Sequence, residues 1–216
     1  GPELLTSFGD FERIYGGLDD LDFGLNYLAH AVRAFFDNGG SRLYVARAPG
    51  AGAGTAQSEL VVDGGGDAEN ARFVARFPGR AGNGSITLRR IATPVTAATL
   101  ARSAQGSLLS FGAGPTLALR RGTAWVDAAD ATVDVSGLVS GDILTLAVEQ
   151  QGLGETATAL DDLGFDRNHP RWIGHVLAAA PSRRSEALQN LFALQIGDGV
   201  SAFELNAALF AAGTTR

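Results

Sequence analysis

Residues 26–47 read Asn26-Tyr27-Leu28-Ala29-His30-Ala31-Val32-Arg33-Ala34-Phe35-Phe36-Asp37-Asn38-Gly39-Gly40-Ser41-Arg42-Leu43-Tyr44-Val45-Ala46-Arg47. Leu28, Ala29, Val32, Phe35 and Phe36 recur at helical spacing, which predicts an amphipathic helix over 26–37. Asn38-Gly39-Gly40 stops it, because a left-handed cap costs glycine least. Leu43-Tyr44-Val45-Ala46 then predicts a short buried strand. A helix running directly into a strand points to an α/β layer.

Upstream, Ser7 followed by Asp10 resembles a capping box. Phe8, Phe11 and Tyr15 share one face of the helix it opens, and Gly16-Gly17 ends that helix. An acidic loop with Asp19, Asp20 and Asp22 follows. Downstream, residues 49–54 (PGAGAG) and Asp63-Gly64-Gly65-Gly66 mark a linker. The middle is rich in short apolar alternations: Phe73, Ala75 and Phe77; Ile86 and Leu88; Val133 and Val135. Ile143, Leu144, Leu146 and Val148 form the strongest strand signal. Residues 116–119 and 123–126 flank Arg120-Arg121-Gly122, which predicts a hairpin.

In the last third, Leu160, Leu163 and Phe165 read as weakly helical, and 173–179 as a buried strand. Ser182 is expected to cap a helix carrying Leu188, Leu191, Phe192 and Ile196, stopped at Gly197. Ser201 and Glu204 form a second capping box, followed by Leu205, Leu209 and Ala212, with Gly213 as the stop. The expected fold is mixed α+β. Residues 1–50 begin an α/β frame, 51–70 form a Gly/Ala-rich linker, 71–155 a β-rich insertion (a small sandwich or barrel), and 156–216 return to the frame with C-terminal helices.

The chain has 216 residues, with 17 basic against 23 acidic side chains and a net charge of −6. A chain of this length buries roughly 70% of its unfolded surface, enough for a core without staples. Cysteine is absent, which excludes disulfides, zinc thiolates and thiol catalysis within the segment. All the basic residues are arginine, so the phosphate-loop lysine and Schiff-base chemistry are excluded too. No apolar run reaches the ~18 residues of a membrane span. The acidic balance argues against non-specific nucleic-acid binding. Methionine is missing even at position 1, so an excerpt of a longer chain is expected, with Gly1-Pro2 either native or a cleavage scar.

A search for chemistry finds no catalytic constellation. His30 lies between Ala29 and Ala31 without a partner at helical spacing, and His169 and His175 are separated by Pro170, unlike a zinc pair. Gly50, Gly52 and Gly54 miss the dinucleotide fingerprint by one position, and no GxSxG elbow occurs. The stretch from Asp63 to Glu69 lacks the alternating oxygens of a calcium loop. Arg89-Arg90 and Arg183-Arg184 are pairs, not patches. The reading is a non-enzyme with no catalytic residue, no metal and no cofactor.

Four stretches nevertheless resemble one family, the contractile tail sheath proteins of phages and phage-like injection particles. The first runs Leu5-Thr6-Ser7-Phe8-Gly9-Asp10-Phe11-Glu12-Arg13-Ile14-Tyr15-Gly16-Gly17, like the family's "TSF-x-DFE-x-x-F/Y-GG". The second, from Tyr27 through Phe35, Phe36, Asn38, Gly39 and Gly40 to Tyr44 and Arg47, is similar to "YLA-x-AV-x-x-FF-x-NGG-x-x-x-YVVR". The third is Phe77-Pro78-Gly79-Arg80-Ala81-Gly82-Asn83-Gly84-Ser85-Ile86, and the fourth, looser, is Asn168-His169-Pro170-Arg171-Trp172. They stand in family order, while 95–155 matches nothing in the family, where the insertion varies.

The resemblance implies a structural subunit that polymerises around an inner tube and shortens to drive it through a target envelope. Its partners would be neighbouring sheath subunits, the tube and a baseplate, with no nucleic acid and no membrane span. The location would be a virion tail or injection particle assembled in the bacterial cytoplasm. The linking arms would precede residue 1 and follow residue 216, so 1–216 alone is expected to be monomeric. Each motif residue also has a packing or turn role, and Phe36→Ala is expected to cost on the order of 3–5 kcal/mol. The alternatives are a β-rich, adhesin- or lectin-like surface-binding module using Trp125 or Trp172, and a hydrolase with scattered acids.

Overall fold

A computed structural model describes residues 2–21, 24–48, 50–79, 82–112, 116–152, 156–182 and 190–210. The chain opens with strand β1 (Glu3–Leu5), helix α1 (Phe8–Tyr15), helix α2 (Tyr27–Asp37) and strand β2 (Leu43–Val45). β1 and β2 pair antiparallel, Glu3 opposite Val45. Leu5, Phe11, Ile14, Ala29, Val32 and Val45 are buried between the helices and this ribbon as one core. Both helices therefore close over the same two strands.

The centre is a seven-stranded antiparallel sheet. Its longest members, β4 (Gly84–Val95) and β9 (Gly141–Gly152), pair along their whole length. On the other side of β9, β5 (Leu108–Phe111) takes 141–144 and β10 (Thr158–Leu163) takes 146–150. β6 (Thr116–Arg121), β7 (Ala124–Val126) and β8 (Thr132–Val133) extend the sheet beyond β5. The β6–β7 hairpin turns through Gly122-Thr123, where Gly122 adopts φ +61°. Period-two alternation divides β5, β6 and β7 between two cores: Leu108, Leu119 and Val126 face one, Leu109, Ala118 and Trp125 the other. The second is closed by Leu100 of helix α3 (Ala97–Leu100) and by Val133, Val135 and Leu138.

The first core reaches a two-stranded antiparallel sheet, β3 (Ala71–Ala75) with β11 (Phe192–Ile196), and the helices α4 (Ile173–Val176) and α5 (Ala202–Leu209). Buried Gln150 ties the two sheets together: its Oε1 accepts from the amides of Leu191 (3.1 Å) and Phe192 (2.9 Å). Its Nε2 donates to Asn190 Oδ1, and Asn190 Nδ2 donates to the Val176 carbonyl.

The mixed α+β class stands, and the sheet does not close into a barrel. Several local readings change. Residues 158–163 are a strand, not a helix, because they ladder onto β9. Phe192 and Ile196 belong to a strand paired with β3, not to a helix. Residues 173–176 form a helical turn, not a strand, with the Leu177 amide bonded to the Ile173 carbonyl. The large sheet spans 84–163 and so crosses the limit drawn at 155, whereas β3, inside that limit, joins β11. Residues 56–62 of the expected linker lie along β3, with Ala75 N donating to Ala56 O and Ser58 N to Phe73 O. Asp22, Arg183-Arg184, Leu188, Ala212 and Gly213 lie outside the described residues.

Candidate functional site

The first two motifs meet in the β1–α1–α2–β2 unit. Ser7 caps α1, its Oγ accepting from Asp10 N at 3.2 Å. The returning bond of the expected box shifts upstream: Asp10 Oδ2 accepts from the amide and hydroxyl of Thr6, both at 2.9 Å. Phe8, Phe11 and Tyr15 stack along α1 with ring centroids 5.8 and 5.2 Å apart, and Phe11 is 2% exposed. Gly16 ends the helix at φ +99°, a backbone that disfavours any side chain, and Gly17 lends its carbonyl to Asn26 Nδ2. Asn26 is the N-cap of α2, accepting from Ala29 N, and its amide also holds Asp19 O. Sequence reasoning started the helix there but did not see this second job.

At the far end of α2, Asn38 Nδ2 donates to Ala34 O at 2.7 Å, and Gly39 takes φ +88°. A Cβ at Gly40 would stand 2.3 Å from the Phe35 ring, so that ring would have to turn away to admit one. Phe36 packs half-buried against the core, whereas Phe35 is 38% exposed and meets Phe36 edge-on at 5.2 Å. The expected stripe is thus narrower than its spacing: Ala29 and Val32 are buried, Leu28 and Phe35 are not. Tyr44 likewise points outward at 61% exposure, between half-buried Leu43 and buried Val45.

The third motif joins this unit through Phe77, which packs on the same core. The Arg47 guanidinium stands 4.9 Å from the Phe77 ring centroid and 5.3 Å from that of Tyr15. Arg47 Nη2 donates to Ile14 O, and the Tyr15 hydroxyl donates to Val45 O, both at 2.7 Å. Arg47 Nη1 is buried with no hydrogen-bond partner among the described residues. Burial lowers the pKa of Arg47; burial, then the nearby Glu3 charge, raises that of the Tyr15 hydroxyl. After Pro78, Gly79 turns at φ +81° and its carbonyl accepts from Gly82 N at 2.8 Å; Asn83 is exposed.

The fourth motif stands apart, in the turn between β10 and α4. The carbonyl of Asp166 accepts from His169 N, and Asp166 Oδ1 accepts from Asn168 N and Nδ2. Pro170 is exposed, while Trp172 is buried in the large core under the Arg167 guanidinium, 4.8 Å from its ring centroid. His169 is half-buried against Gly164, and burial lowers its pKa, against the pull of Asp166. His30 and His175 are exposed on their helices.

Among the described residues, no three His, Asp or Glu side chains stand close enough to hold a metal ion. No described helix is long and apolar enough to cross a membrane. Trp125 and Trp172, the aromatic candidates for a surface-binding reading, are 5% and 8% exposed and each belongs to a core.

The apolar surface left outside has a definite address. Large exposed hydrophobics among the described residues are Leu21, Leu25, Tyr27, Leu28, Phe35, Tyr44 and Val139. All but Val139 fall on α2, the loop before it, or β2. No protein-family model, curated protein or solved structure matches this chain significantly.

Proposed function

We propose that the chain is a structural subunit of a contractile tail sheath, acting through contacts with copies of itself and not through a reactive centre. The observation that carries this reading is the coincidence of motif and exposure. The unit that holds the two strongest family-like motifs also holds six exposed large hydrophobics, from Leu21 to Tyr44. Exposed apolar side chains concentrated in one unit favour an interaction surface, and an array of head-to-tail contacts needs such a surface on every copy.

The interior supports the same role. Phe8, Phe11, Tyr15, Phe36 and Phe77 converge on one core, although Phe77 is far from the others in the chain. Each motif residue that the core or a turn employs is explained by packing or backbone geometry. A rigid unit of this kind transmits force between neighbours when they rotate. The partners on this reading are neighbouring subunits, an inner tube and a baseplate, in a phage tail or injection particle.

Electron microscopy of the full-length gene product, co-expressed with its tube partner, tests the proposal. Hollow, helically striated sheaths are the expected result. Dispersed monomers across salt and tube concentrations would contradict it.

A further inference from the structure

β4 is an edge strand. It pairs with β9 on one side, and no backbone hydrogen bond from 84–95 reaches any other described residue. Twelve residues of open edge are a liability that proteins usually blunt with charge, proline or bulges. The second half of β4 is blunted by Arg89, Arg90 and Pro94; the first half, Gly84-Ser85-Ile86-Thr87-Leu88, carries neither charge nor proline. The opposite edge of β9 is treated differently. There β10 is interrupted by a bulge between Leu160 and Leu163, Asp162 has φ +56°, and Arg171 occupies the Asp161 carbonyl.

The unblunted half of β4 borders a groove of about 460 Å³, mainly apolar. Its floor includes Phe73, Ala75 and Phe192, and its far wall is Ala56-Gln57-Ser58, the segment lying along β3. The groove therefore runs between two stretches of extended chain. Gly84 cannot carry a side chain at its end: a Cβ would stand 2.2 Å from Gln151 O and 2.8 Å from the Phe192 ring. Ile86, Leu88 and Arg90 lie on one face of β4, the face toward the large core, where Arg90 sits over Phe210. No carboxylate pairs with Arg90 among the described residues.

We propose that the open edge of β4 at 84–88 and its adjoining groove bind an extended peptide strand from another protein, apolar at alternate positions and carrying a carboxylate toward Arg90. The backbone edge supplies the ladder bonds, the groove takes the alternate side chains, and Arg90 fixes direction. The site is independent of the sheath reading, since it uses none of the exposed hydrophobics on α2 and β2.

The probe is fluorescein-labelled Thr-Val-Thr-Val-Thr-Glu, titrated against the full chain by anisotropy. Saturable binding is expected, with amides of 84–88 gaining protection from hydrogen exchange. A fully N-methylated peptide should bind at least roughly tenfold more weakly, because it has no ladder donors. Gln57→Trp, a change at an exposed position that fills the groove, should cost roughly tenfold as well. Arg90→Glu should weaken the peptide severalfold and recover with Lys in place of Glu in the probe. Circular dichroism confirms that each variant is folded. The proposal is overturned by no saturable binding up to about 1 mM. It is equally overturned if the N-methylated peptide binds as well, if folded Gln57→Trp is indifferent, or if sedimentation shows a second copy of the chain already paired on this edge.

Discussion

In the β1–α1–α2–β2 unit, each helix is closed by residues within a few positions of its own ends. Ser7 and Gly16 bracket α1; Asn26, Asn38 and Gly39 bracket α2. In the returning segment from β10 to β11, the strands are decided elsewhere in the chain. Phe192–Ile196 is extended because Ala71–Ala75 lies beside it and Gln150 holds its first amide. The first region shows local signals agreeing with tertiary structure. The second shows tertiary pairing overriding them, as propensity arguments allow.

Substitutions can break this comparison from either side. The largest effect is expected in the first region. Phe11→Ala should cost about 3–5 kcal/mol in urea unfolding, because its ring is buried on all sides. The same truncation at Phe35, more than a third exposed, should cost about 1 kcal/mol. Phe36, half-buried, should fall between them, below the expectation from sequence. Equal losses at Phe11 and Phe35 would mean that the α1 column is not the centre of that core.

In the second region, Gln150→Ala should cost on the order of 2–4 kcal/mol, since it strips the amides of Leu191 and Phe192 of their acceptor. Hydrogen exchange should quicken in β11 and leave α1 unchanged. A uniform loss across both regions would show that they unfold as one unit.

Ser201→Ala tests a local signal just past β11, at the start of α5. Ser201 Oγ accepts from Glu204 N, and Glu204 Oε2 accepts from Ser201 N and Oγ. About 1 kcal/mol should be lost, read as a lower melting temperature. Those bonds hold the Glu204 pKa below its usual 4.5, so its contribution is present above that pH and fades as pH falls through the folded value.

The smallest effect concerns His169. Burial places its folded pKa below the usual 6.5, so the folded chain keeps the ring neutral while the unfolded chain takes up a proton first. Stability should therefore hold above pH 6.5 and decline as pH drops from there toward the folded value. His169→Gln should flatten that decline in pH-dependent denaturation; an unchanged slope would assign it to another group.

The sequence made the Ser7 cap, the stops at Gly16 and at Asn38-Gly39, the alternations of β3, β4 and β9 and the β6–β7 hairpin readable, because each rests on neighbours in the chain. The Ser201 box formed as its spacing implied. β5 was missed: Leu108-Leu109-Ser110-Phe111 has no alternation, since its two leucines serve different cores. β11 was misread because Phe192 and Ile196 stand at helical spacing, a signal that the β3 pairing overrides. The Gln150–Asn190 pair had no signature at all, being a polar contact across forty residues. On the candidate surface, the exposure of Leu28 and Phe35 could not be read from spacing, because a helix stripe says which residues align and not how deep the groove beneath them is.

The subunit contact proposed for the exposed side chains of α2 is the claim on which the sheath reading rests. Its most direct test replaces Tyr27→Ser and Leu28→Asp together in the full-length protein, then compares electron micrographs with wild type after checking the melting temperature. We expect a fold that melts within a few degrees of wild type, and no sheaths. Normal sheaths from the folded double variant would contradict the proposed role of these side chains in subunit contacts.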